Sequence, residues 1–260
     1  MYFGAKNIAV SYGKTNIIKN LSVEIPRGLT TAIIGKNGSG KTTLLKTLGR
    51  LITPDQGHIE LDEVPLSAYS NIALAKKLAM LPQSPSTPDN ITVMDLVSLG
   101  RFPYQKLTMT RLSKQDYDAI RRVMMETNVW DIRTKKVADL SGGQRQRVWI
   151  TLVLAQDSEI ILLDEPTTYL DIIHQMEVLT LLKIFAKKMK KTVVYVLHDL
   201  SLVARFADQI IAMKDGDIVA NGLTDDIFTE SVIKDVFGIT VEIGRDSYAD
   251  TPIIVGVKNV

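Results

Sequence analysis

The chain has 260 residues, 45% of them hydrophobic and 23% charged, the make-up of an ordinary globular protein long enough for one large domain or for a core domain carrying a subdomain. Its formal net charge of +2, with bases interspersed among acids, lacks the concentrated basic stripe of a nucleic-acid binder, so no nucleic-acid partner is expected. The absence of cysteine rules out disulfides and cysteine-based metal or nucleophile sites.

No apolar run approaches the roughly 18 residues needed to span a bilayer, and Met1-Tyr2-Phe3-Gly4-Ala5-Lys6 lacks the apolar core of a signal peptide. A cytosolic chain is expected, with any membrane role borne by a partner. Ile8, Val10 and Tyr12 alternate with Ala9, Ser11 and Gly13, and Leu21, Val23 and Ile25 repeat the pattern, so two strands, antiparallel to one another, open the chain. The apolar run Thr30 to Ile34 then leads into Gly35-Lys36-Asn37-Gly38-Ser39-Gly40-Lys41-Thr42, and a helix should follow to about Arg50.

A turn at Thr53 to Gly57 precedes a strand from His58 to Asp62. Ser67 to Lys77 reads as one helix, and Leu78 to Leu81 as a short buried strand ending at Pro82-Gln83. From Ser84 the composition changes, with Pro85, Pro88 and Pro103 and two helical stretches, Thr92 to Leu99 and Ser113 to Thr127, whose starts resemble capping boxes. Residues from about 84 to 140 contain no strand-like run, which predicts a helical subdomain inserted into an α/β core.

Leu140-Ser141-Gly142-Gly143-Gln144 opens another helix to about Ala155. Ile160 to Leu163 is a strand, a long helix begins at Asp171 with Met176, Leu179, Leu182 and Phe185 on its core face, and Thr192 to Leu197 is a strand. Lys187, Lys188, Lys190 and Lys191 read as the solvated end of that helix. Asp215-Gly216 marks a hairpin between Ile210 to Met213 and Ile218 to Ala220. Val232 to Phe237 is a terminal helix, followed by a short β tail.

The segment Gly35 to Thr42 fits G-x-x-x-x-G-K-[ST], in which glycines let backbone N–H groups curl around a triphosphate. Lys41 brings a mobile charge to the β/γ-phosphates, Thr42 an oxygen to Mg²⁺, and the following helix points its positive end at the anion. Four apolar runs end in polar residues, at Gly35, Gln83, Asp164-Glu165 and His198. In open α/β sheets ligands sit outside the carboxyl ends of the strands, so these four should converge.

Asp164 has the position of a Mg²⁺-binding carboxylate, and Glu165, one residue on, that of the group orienting the attacking water. Two adjacent carboxylates repel one another unless a cation lies nearby. Ser141 with Gly142 and Gly143 at a helix start makes a second anion site. On spacing alone, Gln83 reads as a surface loop residue, His198 as a satisfied histidine of the core or of a helix start, Tyr12 as core, and Arg145 and Arg147 as surface residues.

These motifs, in this order, make the chain resemble the ATP-binding cassette ATPases over essentially its full length. They are Gly35 to Thr42, Leu140 to Gln144, Ile160 to Glu165, Pro166-Thr167-Thr168-Tyr169-Leu170-Asp171, and His198. The resemblance implies a single ATPase domain over residues 1–260 of α/β class. Its P-loop NTPase core would carry an N-terminal antiparallel β subdomain and the helical insert.

It implies ATP and Mg²⁺ as cofactors and a head-to-tail dimer holding two ATP molecules between Walker A of one chain and the signature of the other. Carried over, nucleotide contacts fall on Tyr12, stacked on adenine, and on Gly35, Asn37, Gly38, Ser39, Gly40, Lys41, Thr42 and Thr43. From the second copy they fall on Ser141, Gly142, Gly143 and Gln144. Thr42, Gln83 and Asp164 would hold or sense the metal, Glu165, Gln83 and His198 would serve hydrolysis, and Asp171 would lie in the loop crossing the dimer interface.

Asp95 through Tyr104, Glu165 through Gln175 and Leu197 through Leu200 are more closely similar to the ATPases of ferric siderophore importers, with heme and cobalamin importers as near relatives. Ser201 departs from the asparagine common there. That likeness implies an energy-coupling subunit on the cytoplasmic face of the membrane, bound to permease subunits and served indirectly by an extracytoplasmic substrate-binding protein. Arg101-Phe102-Pro103-Tyr104 would help line the groove receiving a permease helix. The alternatives are an exporter ATPase, which shares every catalytic residue, and a soluble cassette ATPase of DNA repair, chromosome organisation or translation.

Overall fold

The computed structural model describes residues 3–105, 112–168 and 170–259; Met1, Tyr2 and Tyr169, which the sequence reading used, lie outside the described residues. The chain forms two compact units, one built by the chain up to Tyr69 together with the chain from Leu182 onward, the other by Ser70–Leu181.

The first unit opens with β1 (Phe3–Tyr12) and β2 (Thr15–Ile25), antiparallel as expected. β1 starts earlier than the alternation suggested, because Phe3, Gly4 and Ala5 pair on their other side with Leu61, Glu60 and Ile59. Its register with β2 shifts between Val10 and Ser11. That irregularity interrupts the two-residue alternation, and Tyr12 is 53% exposed, which corrects its reading as core.

β3 (Thr30–Ile34) is buried along its whole length, the pattern of a strand flanked on both sides. It leads through the glycine-rich loop into α1 (Lys41–Leu48), and β4 (Gln56–Leu61) and β5 (Val64–Pro65) follow. The single helix expected over Ser67 to Lys77 is instead a 3₁₀ turn, Leu66–Ala68, and α2 (Asn71–Ala75). Arg50 Nη1 donates to the carbonyls of Leu66 (2.8 Å) and Tyr69 (2.7 Å), drawing both oxygens toward the guanidinium. Tyr69 is extended, and Ser70 starts α2 afresh by accepting the Ala73 N–H.

In the second unit, α2 is followed by β6 (Leu78–Leu81), α3 (Val93–Ser98), a 3₁₀ stretch Leu99–Tyr104, α4 (Lys114–Glu126), α5 (Gly142–Ala155) and β7 (Ile160–Asp164). β6 and β7 are parallel, with Leu78 opposite Ile160 and Leu81 opposite Leu163. Between 84 and 140 the described residues form helices and turns with one isolated bridge, Thr92 to Lys136. Val93, Leu96 and Val97 of α3, Ile120 and Met124 of α4, and Val148 and Ala155 of α5 pack into one core.

Thr92 and Ser113 cap α3 and α4 by accepting the N–H groups of Asp95 and Asp116. Each acid then accepts the capping hydroxyl at 2.6 Å. An aspartate is one methylene shorter than the glutamate of a full capping box and bonds the hydroxyl here.

α6 (Ile172–Met189) carries the chain back to the first unit. Leu179, Leu182 and Phe185 are buried as its periodicity required, whereas Met176 is only half-buried. Then come β8 (Thr192–Val196), α7 (Leu200–Phe206), β9 (Gln209–Lys214), β10 (Asp217–Leu223), α8 (Thr224–Ile227), α9 (Glu230–Phe237), and the hairpin of β11 (Thr240–Arg245) and β12 (Pro252–Asn259). β3 lies between β8 and β9, parallel to both. β10 returns antiparallel to β9 through Asp215-Gly216, both at positive φ, the turn that Asp-Gly predicts.

Candidate active site

The first half of the site is the loop from Gly35 to Thr43, between a buried strand and the start of α1. Gly35 has φ 154°; a Cβ there would collide with the Met213 carbonyl and stand 2.5 Å from Ser39 Oγ, so only glycine fits. Lys36, Asn37 and Gly38 form the exposed rim, and Ser39, Gly40, Lys41 and Thr43 are buried. The hairpin turn braces the loop from outside, since the Gly216 N–H donates to the Ser39 carbonyl at 3.2 Å.

Two observations test whether this cradle suits a triphosphate. Ser39 Oγ is buried with no hydrogen-bond partner among the described residues, and α1 begins at Gly40 with no side-chain cap and no acid in its first turn. The first turn therefore carries no side-chain cap and no acid of its own to oppose the helix's positive end. Lys41 Nζ folds back onto the carbonyls of Gly35 and Lys36, both at 2.9 Å, where phosphate oxygens can take over the ammonium. The residues fit the anion.

The register carries His198 to the same loop's level. Ile33 of β3 pairs with Val196 of β8. Two residues further along each strand lie Gly35 and His198. His198 is exposed, which corrects the core reading; the helix start belongs to Asp199, whose Oδ1 accepts the Ser201 and Leu202 N–H groups. Tyr12 ends β1 with its ring exposed.

The second unit repeats this logic. Leu81 pairs with Leu163, so two residues on Gln83 faces Glu165, and Gln83 Nε2 donates to Glu165 Oε2 at 2.7 Å. Thr168 Oγ1 donates to the same oxygen at 3.0 Å. Asp164, at the end of β7, is 1% exposed, whereas Glu165 is partly open. Glu165 also has φ 52°, a left-handed conformation costing a non-glycine residue about 1–2 kcal/mol, which turns its side chain out of the strand's alternation. No sequence signal announced that strain.

Ser141 caps α5. Its Oγ accepts the Gln144 N–H, and Gln144 Oε1 accepts the Ser141 N–H, a closed capping box. The serine uses a lone pair for this and keeps its O–H proton to donate. Ser141, Gly142 and Gln144 are exposed, and no acid lies in the first turn, so the turn presents a second positive helix end. Arg145 and Arg147, read from the sequence as surface residues, have structural partners. Arg145 donates to the Ala138 and Leu140 carbonyls, Arg147 pairs with Glu177, and between them Gln146 reaches the Pro166 carbonyl at 2.8 Å.

No group of three or more acidic or histidine side chains able to hold a metal occurs among the described residues. A Mg²⁺ ion keeps several waters and phosphate oxygens and needs few protein ligands, so the lack of such a group does not exclude it.

Comparison with known proteins agrees with this chemistry. A family model described as ABC transporter matches residues 18–168. The chain is 44% identical over 250 residues to the ferric enterobactin transport ATP-binding protein FepC of Escherichia coli, covering 96% of this chain and 92% of that one. It is 43% identical over 250 residues to the petrobactin import ATP-binding protein FpuD of Bacillus anthracis, covering 96% and 91%. Among solved structures it is similar to a metal-chelate type ABC transporter in an inward-facing conformation (TM-score 0.84, 27% identity, 98% of this chain and 96% of that one). It is also similar to the dimeric bacterial ABC transporter cassette MJ0796 (TM-score 0.76, 29% identity, 85% and 98%).

Proposed function

Because this chain belongs to the ABC transporter family as an ATP-hydrolysing subunit, we propose that it powers import of a ferric siderophore through a membrane permease. The observation that carries its chemistry is the Glu165 carboxylate, aimed by Gln83 and Thr168 one residue beyond buried Asp164. In this reading Gly35 to Thr43 hold the triphosphate, Tyr12 stacks on the adenine, Thr42 and Asp164 hold Mg²⁺ with Gln83 beside it, and His198 contacts the γ-phosphate. When bound there, Mg²⁺ would neutralise charge developing on the phosphates. Glu165 orients and deprotonates the attacking water.

The turn Ser141, Gly142, Gly143, Gln144 takes the γ-phosphate of ATP bound by a second copy, in keeping with the dimeric state of the MJ0796 cassette. The described residues from about 84 to 140 act as the helical subdomain meeting the permease. An extracytoplasmic binding protein delivers cargo from the other side. No helix among the described residues is long and apolar enough to cross a membrane, so the permease provides the anchor at the cytoplasmic face.

Gln83→Ala removes one hydrogen bond to a charged oxygen and should lower turnover about tenfold with little change in KM, read by steady-state ATP hydrolysis. The names of the relatives favour iron chelates as cargo. Transport by the reconstituted complex of labelled ferric siderophore, heme and cobalamin tests it. Uptake of heme or cobalamin alone, or net export, would overturn the siderophore reading, and purification with DNA or ribosomes would point to a soluble cassette.

Within Arg101 to Tyr104 the residues differ in exposure. Arg101 is buried, while Phe102 is 66% exposed and Leu99, three residues earlier, 56%. Phe102→Asp should therefore weaken permease association and transport while leaving ATP hydrolysis by the chain alone unchanged. Intact complex formation in a pull-down would remove this surface from the interface.

A further inference from the structure

Asp171, just before α6, is engaged twice by one residue. Its Oδ1 accepts the backbone N–H of His174 at 2.9 Å and bonds His174 Nδ1 at 2.7 Å. The backbone N–H first and the ring second hold the Asp171 carboxyl below the usual carboxylate value. A carboxylate only accepts, so the ring proton sits on Nδ1, leaving the Cδ2–Nε2 edge for another contact.

That edge lies on Gly143. A Cβ at position 143 would stand 2.8 Å from His174 Cδ2 and 3.2 Å from Nε2, closer than side chains pack. Gly143 has no positive φ to require glycine; what excludes a side chain there is this ring. The ring in turn is held by Asp171, so it cannot swing aside without losing its hydrogen bond. One turn further along, Arg147 of α5 pairs with Glu177 of α6, extending the seam.

We propose that His174 is a positioning residue for the signature turn. Its ring, aimed by Asp171, sets the placement of Ser141 to Gln144 and ties it to the loop that follows Glu165. The proposal rests on the reading above in which that turn engages ATP. A displacement of about 1 Å in such a group can cost on the order of 10²-fold in rate, so the clamp bears on turnover without touching nucleotide.

The test is Mg²⁺-dependent ATP hydrolysis by the full chain, with melting curves, for the parent, His174→Ala, His174→Asn, Gly143→Ala, the double variant G143A/H174A, and Ser141→Ala. His174→Ala is expected to lower kcat about 10- to 100-fold with KM within about threefold, because the phosphate loop is untouched. His174→Asn keeps a donor near the Nδ1 position but lacks the ring edge that lies on Gly143, and should lose about as much as His174→Ala. Gly143→Ala should be strongly impaired and the double variant less so than the product of the singles, since the colliding ring is gone.

Parental turnover in His174→Ala, or effects of the two sites that simply multiply, would overturn the clamp. If His174→Ala does not fold, the decision falls to His174→Asn, where near-parental turnover overturns the clamp and a loss in kcat with KM within about threefold supports it. Ser141→Ala separates the two readings. Unchanged hydrolysis there would defeat the nucleotide role of the signature, whereas a loss there with none at His174 would defeat only the clamp.

Discussion

Glu165→Gln should bind ATP like the parent and hydrolyse it about 10²–10⁴-fold more slowly, the contribution of a positioned general base. Glutamine keeps an oxygen where Gln83 Nε2 and Thr168 Oγ1 donate, so the constellation survives in shape. It loses the capacity to take a proton from water. The left-handed backbone at Glu165 is set by the turn and not by the side-chain charge. Nucleotide binding by fluorescence and single-turnover hydrolysis read the two halves of the claim; unchanged hydrolysis would remove Glu165 from the chemistry and leave His198 as the candidate.

Arg101→Met should destabilise the chain by about 3–5 kcal/mol, the cost of stripping one partner from a buried ion pair. Arg101 Nε donates to Asp116 Oδ1 at 3.0 Å and Nη1 to the Ala155 carbonyl at 3.0 Å, closing the C-terminal end of α5. Tyr104 covers the guanidinium at 3.9 Å. A residue that the aromatic and proline content of its stretch suggested for permease contact is thus a brace between the 3₁₀ stretch, α4 and α5. Thermal melting should show a drop of roughly 6–20 °C for a domain of this size. Arg101→Met with Asp116→Asn should regain part of it, because no buried charge is then left uncompensated.

The pH dependence follows from Asp116. Burial pushes its carboxyl up, but hydrogen bonds from Ser113 and Arg101 outweigh that and hold it below its ordinary value of 3.8. A carboxyl depressed by folding contributes fully above the unfolded value and loses that contribution as pH falls through the folded one. The stability gap between parent and Arg101→Met should therefore be widest above about pH 4 and narrow in stronger acid. Parallel acid-melting curves for the two proteins would contradict the pairing.

The sequence by itself determined what short-range chemistry dictates. The phosphate loop, the serine cap of α5, the Asp-Gly hairpin and the buried strand of β7 each depend on residues within a few positions, where backbone angles and hydrogen-bond reach leave few alternatives. Tertiary structure alone decided what depends on register and on groups distant in the chain. Gln83 meets Glu165, and Gly35 stands level with His198, because parallel strands pair Leu81 with Leu163 and Ile33 with Val196. No local periodicity carries those offsets.

The same holds where the expectations failed. A register shift exposes Tyr12, and Arg50 draws the carbonyls around Tyr69 and divides an expected helix. Each outcome is fixed by an atom contributed from elsewhere in the chain, which is why neighbours in sequence could name the chemistry but not assemble it.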